Sequence, residues 1–391
     1  MFIQKRCLAA LLLCVLAGAV LTDSAQAIPA FARKYAMSCT TCHAPYPRLK
    51  AYGEEFAGNG FVLKEKDAPR YFVDAGDQRL SLIREIPLAV RLEGYTQFAS
   101  QPGDRFDFTS PYNLKLLSGG ALAKDIAYYF YFFFSERGEV AGIEDAFIMF
   151  NDLGSSELDL YIGQFQVSDP LFKREVRLPY EDYQIYRAKP GVSSIGLTYD
   201  RGIMLAYGFE SGTDITLEIL NGNGIGEADD SRIYDSDKYK TVLGRLSQDI
   251  GEHFRLGGFG YYGKEGPNGD STNEVWLAGP DASITTDKLI LNLQYVERHD
   301  DNPSLDLAKL PEVKTRGGFA ELIWLPDGER TTWYAVALYN NVESDQQDLC
   351  YESIAAHVGY LLRTNLRLTA ELVYDIEQEE SRFLLGFVSA F

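Results

Sequence analysis

From about Leu80 to its end, the chain divides into runs of roughly ten residues in which apolar and polar side chains alternate, separated by turn-forming residues. Sixteen such runs can be marked. They are Glu85–Ala99, Tyr112–Ala123, Ile126–Glu136, Val140–Phe150, Leu158–Gln166, Gly202–Phe209, Asp214–Asn221 and Lys238–Gln248. The rest are His253–Gly263, Asn273–Ser283, Leu289–Arg298, Thr315–Leu325, Thr331–Asn341, Tyr351–Leu362, Leu366–Glu377 and Arg382–Phe391. A period of two puts successive side chains on opposite faces of a strand. In the last run Phe383, Leu385, Phe387 and Phe391 share one face, and Gly386 and Ala390 the other. Ile203, Leu205, Tyr207 and Phe209 oppose Met204, Ala206 and Gly208; Leu88, Val90 and Leu92 oppose Arg91, Glu93 and Tyr95. Leu368, Ala370 and Leu372 oppose Arg367, Thr369 and Glu371 in the same way. One face apolar throughout, with charge confined to the other, is what strands between lipid and a wet lumen require.

Connection lengths alternate in phase with the strands. Short turns fall at Lys124-Asp125, Asp249–Glu252, Pro326–Glu329 and Arg363–Asn365. Longer loops fall at Ser168–Arg201, Gly222–Asp237, His299–Lys314 and Val342–Cys350. A soluble sandwich has no reason for this rhythm, whereas short periplasmic turns and long outer loops are the habit of membrane barrels. The predicted fold is therefore an all-β membrane protein: an antiparallel transmembrane β-barrel of about 16 strands, porin-like, over residues 85–391. Composition agrees. The chain holds 25 Tyr and 23 Phe, yet its mean hydropathy is −0.17. Beyond the leader there is no apolar run of the ~18 residues a spanning helix needs.

The leader, residues 1–27, reads as a cleaved signal peptide. It has basic Lys5 and Arg6, an apolar stretch from Cys7 to Leu21 and the cleavage pattern Ala25-Gln26-Ala27. The net charge is −19; removing Lys5, Arg6 and Asp23 with the leader takes it to −20. So acidic a protein is a poor partner for nucleic acid. Only Cys39, Cys42 and Cys350 survive processing, which excludes a disulfide framework.

Cys39-Thr40-Thr41-Cys42-His43 carries the chemistry. The C-x-x-C-H spacing offers two thiols to the vinyl groups of one porphyrin and an imidazole to its iron, the attachment pattern of one covalent haem c. A zinc site would need four ligands, and no second Cys pair exists to complete one. A thioredoxin-type pair wants a cytosolic βαβ setting. A disulfide over so short a step would be strained and would leave His43 without a role. Residues 28–62 thus form a short helical c-type cytochrome segment, too short to wrap a haem alone, and a polar linker over 63–84 joins it to the barrel.

Ile28-Pro29-Ala30-Phe31-Ala32-Arg33-Lys34-Tyr35, then Cys39–His43, Pro47-x-Leu49, Gly53, Phe56 and Gly60-Phe61, resembles the opening of fused monohaem cytochrome c–porins. These are outer-membrane proteins with a haem head on a barrel, and they include iron-oxidising outer-membrane cytochromes. The resemblance implies haem c on Cys39 and Cys42, His43 as proximal iron ligand, and electron transfer across the outer membrane. Around Arg201-Gly202 and Asn221-Gly222-Asn223-Gly224 the barrel also looks like anion-selective porins.

A low-spin carrier usually has Met or His opposite the proximal imidazole. The candidates are Met37, Met149, Met204, His253, His299 and His357. Met37 stands too close to the attachment loop to reach round the ring; Met204 and His357, on lumen faces, rank first. Acidic residues gather in the outer loops: Glu227, Asp229, Asp230, Asp235 and Asp237 in one, and Asp300, Asp301, Glu343, Asp345 and Asp348 in others. Carboxylates suit hard divalent cations, but solvated loops are acidic for ordinary reasons too.

The expected function is transfer of single electrons between an extracellular donor or acceptor, with ferrous iron one such donor, and periplasmic carriers, in outer-membrane lipid. As a catalyst it would be an Fe(II):cytochrome c-type oxidoreductase. Two other readings stand beside it: a passive porin with a haem-bearing periplasmic gate or sensor, and a haem enzyme or small-ligand sensor with an open coordination site.

Overall fold

A computed structural model describes residues 30–391 apart from 36, 45–47, 64–71, 78, 101–104, 173–175, 177, 267–270 and 307–311. The expected signal peptide and part of the 63–84 linker lie outside the described residues. A two-stranded ribbon, β1 (Phe72–Val73) with β2 (Leu82–Ile83), precedes the barrel. The barrel begins with β3 (Leu88–Ala99), β4 (Arg105–Ala123), β5 (Ile126–Glu136) and β6 (Gly142–Phe150). It continues with β7 (Leu158–Gln166), β8 (Tyr199–Gly208), β9 (Thr213–Leu220) and β10 (Thr241–Ile250). Next come β11 (Phe254–Glu265), β12 (Asn273–Thr285), β13 (Leu289–Asp300) and β14 (Val313–Trp324). β15 (Trp333–Ser344), β16 (Tyr351–Arg363), β17 (Leu366–Asp375) and β18 (Glu380–Ala390) complete it.

Each strand pairs antiparallel with its neighbours, and β18 closes on β3 with Leu385 opposite Thr96 and Ala390 opposite Arg91. The result is a closed barrel of sixteen strands, so no backbone edge is left unpaired in lipid. All sixteen predicted runs appear in order. The ends differ mainly on the long-loop side: β4 starts at Arg105 rather than Tyr112, because Phe98, Gln97 and Thr96 continue the ladder opposite Phe106, Asp107 and Phe108.

Exposure follows the predicted facing. Leu385 is 53% exposed and its neighbour Leu384 is 1% exposed; Leu368 and Leu372 stand out at 42% and 52% while Arg367 and Glu371 are each at 1%. The exposed set is the lipid belt, with Tyr262, Trp276, Tyr295, Tyr339 and Tyr360 among its aromatic members. No described helix is long and apolar enough to cross a membrane, and the crossing is made by strands.

One expectation is corrected. Ser168–Arg201, read as an outer loop, folds back inside the barrel. Its Leu171, Leu178, Tyr183, Ile185, Tyr186, Ile195 and Leu197 are all buried in the main core cluster with wall residues such as Phe319 and Leu243. So much apolar surface gains ~25 cal/mol per Å² on leaving water, which an excursion into solvent forfeits. Wall carboxylates hold the loop's polar atoms. Glu371 accepts the backbone N–H of Glu181 at 2.8 Å, Glu321 accepts the hydroxyl of Tyr183 at 2.9 Å, and Glu265 accepts those of Ser193 and Ser194 at 2.6 Å. The Tyr183 ring stacks on Phe319 with centroids 3.7 Å apart.

Candidate functional site

The residues ahead of the barrel form two short helices, α1 (Ala30–Tyr35) and α2 (Ala51–Gly58), with a 3₁₀ turn at Cys39–Thr41 between them. The Ser38 hydroxyl caps that turn by accepting the Thr40 N–H at 3.3 Å. The N–H groups of Cys42 and His43 then both donate to the Cys39 carbonyl, at 3.2 and 2.8 Å. One tight turn thereby brings both thiols and the imidazole to the same side. α2 is laid against it by the Lys50 N–H, which donates to the Cys42 carbonyl at 2.8 Å. Gly53 permits the approach: a Cβ there would run into the Cys42 carbonyl and stand 2.9 Å from Leu49 Cδ2.

Cys39, Cys42 and His43 line an apolar cavity of about 210 Å³. Met37, Leu49, Phe56, Ala57, Phe31 and Phe61 contribute from the same segment. The remaining wall is the barrel itself: Ala89 of β3, Leu117 of β4 and Tyr129 of β5. Phe61 is the hinge of this arrangement. Gly60 (φ 70°) and Phe61 (φ 61°) turn the chain sharply off α2, a conformation that glycine adopts freely and phenylalanine only under constraint. The constraint is a stack of rings, Phe31 on Phe61 at 4.8 Å and Phe61 on Tyr129 at 5.2 Å. The Tyr35 hydroxyl donates to the Phe61 carbonyl at 2.9 Å, and Gly60 abuts Ala127 and Asn151.

These barrel residues stand at the short-turn end of their strands, so the segment sits in the periplasmic mouth of the lumen. It reaches across as well: Lys50 Nζ lies 2.9 Å from a carboxylate oxygen of Glu329, in the turn between β14 and β15.

The donor set fits a covalent haem c. Two free thiols and one imidazole converge on a single apolar pocket, and the glycine cradle leaves the Cys42–His43 turn in contact with α2. The enclosed volume is below the ~300–1,000 Å³ of ordinary ligand pockets, so a porphyrin held here would be only partly enclosed. Burial pushes both thiols above the ordinary cysteine value. At Cys42 the neighbouring Cys39 adds to the shift and Lys50 opposes it.

Neither Met204 nor His357 lines this cavity. Met204 packs on the lumen core, opposite Tyr161 and Glu218 in the ladder. His357 is 1% exposed on β16, its Nε2 3.5 Å from the Tyr334 hydroxyl and its Nδ1 3.5 Å from Glu371. The lining sulfur beyond the two thiols belongs to Met37. Leu117 and Tyr129 carried no signal in the sequence, since nothing in an alternating strand tells which lumen residue meets the N-terminal segment.

Beyond α2 lies a second, polar space of about 460 Å³, floored by Arg48 and Glu54, roofed by Asp169, Leu171 and Val176 of the inward loop, and walled by the barrel. Its lining carries seven carboxylates against three arginines. Arg245 is spent on Asp281 at 2.6 Å, and Arg255 on Asp214 at 2.9 Å. The acidic outer loops, by contrast, use their carboxylates on turns: Asp229 accepts the Ile233 N–H, Asp237 that of Tyr239, and Asp345 that of Lys314. Among the described residues, no group of three or more His, Cys, Asp or Glu side chains is placed to hold a bare metal ion.

No protein-family model and no curated protein matches this chain. Solved structures do match. An anion-selective porin from Comamonas acidovorans is 11% identical, with a TM-score of 0.57 over 78% of this chain and 99% of that one. The outer-membrane channel DcaP of Acinetobacter baumannii is 12% identical, with a TM-score of 0.56 over 78% and 97%. OmpT of Vibrio cholerae, in a trimer form, is 11% identical, with a TM-score of 0.55 over 78% and 99%. At such identities the likeness is one of fold: a porin-type barrel, whose lipid-facing belt places the chain in a bacterial outer membrane.

Proposed function

We propose that this chain is a c-type cytochrome–porin that passes single electrons between an extracellular partner and periplasmic carriers. One observation carries the reading: Cys39, Cys42 and His43 converge on an apolar pocket that only the barrel wall completes. A cytochrome tethered merely as a neighbour would not need Leu117 and Tyr129 against its attachment turn. A ~30 Å hydrocarbon layer is too thick for one cofactor to bridge from outside it, and seating the segment in the lumen shortens the remaining path.

When bound, the haem would supply a one-electron ferric–ferrous couple, tuned by axial ligation and burial. The protein's share is structural. Cys39 and Cys42 would hold the haem through thioethers to its vinyl groups, and His43, whose backbone N–H donates to the Cys39 carbonyl, would offer its imidazole to the iron. Phe31, Phe56, Phe61 and Tyr129 exclude water from that side. The test is transfer from an external reductant to an acceptor trapped in proteoliposomes. Electrons crossing in proportion to haem content support the proposal; haem-loaded vesicles that never reduce the acceptor refute it. Ferrous iron and a non-metal reductant, tried in parallel, separate the donor classes.

A second reading, a passive pore whose haem segment acts as a periplasmic gate, is favoured by the likeness to porins over nearly their whole length and by the span of the segment from β5 to the β14–β15 turn. It predicts that deleting residues 28–62 raises single-channel conductance in planar bilayers, without any electron exchange by the full chain.

A further inference from the structure

A c-type electron carrier usually grips its iron from both faces, with Met or His opposite the proximal imidazole. The chain holds four Met and four His, and every one beyond the leader lies among the described residues. The side chains that could stand opposite His43 can therefore be placed one by one. Met204 packs on the lumen core, and His357 lies between Tyr334 and Glu371. Met149 is buried on β6, opposite Ala127 and Tyr161 in the ladder. His253 is exposed in the turn between β10 and β11, and His299 stacks on Trp276 with its Nε2 3.2 Å from Glu312. None of these five lines the pocket of Cys39, Cys42 and His43. Met37 does.

Nearness in sequence argues against Met37, and the local backbone answers the objection. α1 stops at Tyr35, and the Met37 N–H donates to the Ala32 carbonyl at 3.0 Å, outside the turn that carries the thiols. Ser38 is extended (φ −70°, ψ 147°). The chain thus runs straight into Cys39, and two extended residues cover ~7 Å. Methionine adds an unbranched side chain with three rotatable bonds. Its sulfur needs no hydrogen bond in a pocket walled by Ala30, Phe31, Leu49 and Phe56. We propose that Met37 is the axial ligand opposite His43. The assignment rests on the haem reading and fills the one coordination position that reading leaves open. The N-terminal segment then supplies both ligands, and the barrel wall supplies cover. A thioether in that position also raises the potential of the couple.

The experiment records three properties of the full chain purified with its haem: the ferric spectrum, carbon monoxide binding by the ferrous form, and the midpoint potential. Wild type is expected to be low-spin, with the near-infrared sulfur-to-iron band of methionine ligation and weak carbon monoxide binding. Met37→Leu is expected to lose the band, bind carbon monoxide at least tenfold more tightly and fall in potential. Met37→His should regain low spin without the band. Met149→Leu combined with Met204→Leu should keep the band, and this double variant decides alone if Met37→Leu does not accumulate. A haem-loaded wild type without the band, a Met37→Leu spectrum identical to wild type, or loss of the band in the double variant overturns the assignment and leaves haem binding standing. A full chain that takes up no covalent haem refutes the haem reading, and the assignment with it.

Discussion

Two stretches of one lumen wall, made from the same alternating strands, do opposite things. β3–β5 turn Ala89, Leu117, Ala127 and Tyr129 inward and make a dry seat for the N-terminal segment. β9–β14 turn Thr216, Arg245, Asp281 and Glu321 inward and make a wet, charged chamber. The outward faces of both stretches are apolar, with Phe98 and Phe134 on the first and Ile215, Leu217 and Leu256 on the second. In a barrel the lipid face and the closed ladder carry the folding requirement. The lumen face is consequently free to be specialised strand by strand, and a dry niche and an ionic one can stand side by side with α2 between them. Gly53, Phe56 and Ala57 of that helix line the pocket, while Glu54 lines the chamber.

The largest effect tests the dry side. Cys39→Ala combined with Cys42→Ala should abolish covalent pigment, read as loss of haem staining on a denaturing gel, while the heat-modifiable barrel band stays unchanged. A pigmented double variant would remove the haem assignment. Tyr129→Ala deletes the ring that joins barrel to segment and should cost ~3–5 kcal/mol of docking, the usual scale for buried aromatic truncation; protease should then release residues 28–62 while the barrel resists. On the wet side, Arg245→Ala leaves Asp281 buried without its partner, a change worth ~3–5 kcal/mol. Urea unfolding from liposomes should show it as lost barrel stability, with the haem spectrum unmoved. If both substitutions disturb both regions alike, the two walls are not separate.

A smaller effect concerns the thiols. Alkylation needs the thiolate, and burial pushes Cys39 and Cys42 above the ordinary thiol value. In haem-free protein their labelling at pH 8 should therefore be slower than that of a free cysteine peptide, and should keep rising at alkaline pH where the peptide has levelled off. Equal pH profiles would mean the pocket is open to water. The smallest effect is expected from Glu329→Gln, which removes the partner of Lys50. With Glu329 largely exposed, the pair should contribute under ~1 kcal/mol and vanish in high salt. A loss of several kcal/mol would show that the Lys50 contact, rather than the Phe61–Tyr129 stack, holds the segment.

Much of the wall is legible in the order of its residues. Phe383, Leu385 and Phe387 of the last strand predict its lipid face, and the same reasoning places Arg367 and Glu371 in the lumen, where their exposures put them. Length alone assigns Ser168–Arg201 to the outside, since it matches an outer loop in size. Its composition says otherwise: Leu171, Tyr183, Ile185, Ile195 and Leu197 are poorly suited to solvent and find their cover inside the barrel.

The alternation of the strands, taken alone, determined that sixteen strands would form and which face of each would meet lipid. The motif spacing likewise determined that Cys39, Cys42 and His43 would lie within one turn of chain. Those are local properties, set by the two-residue period of a strand and by a spacing of three. Only the tertiary structure decided that Tyr129 would close the pocket opened by Cys42, that Met204 and His357 would lie elsewhere on the wall, and that Ser168–Arg201 would turn inward to cover Phe319. The reason is geometric. A period of two tells a side chain to point inward, but what it meets across the lumen depends on the closure of β18 on β3 and on which loop folds in to fill the space.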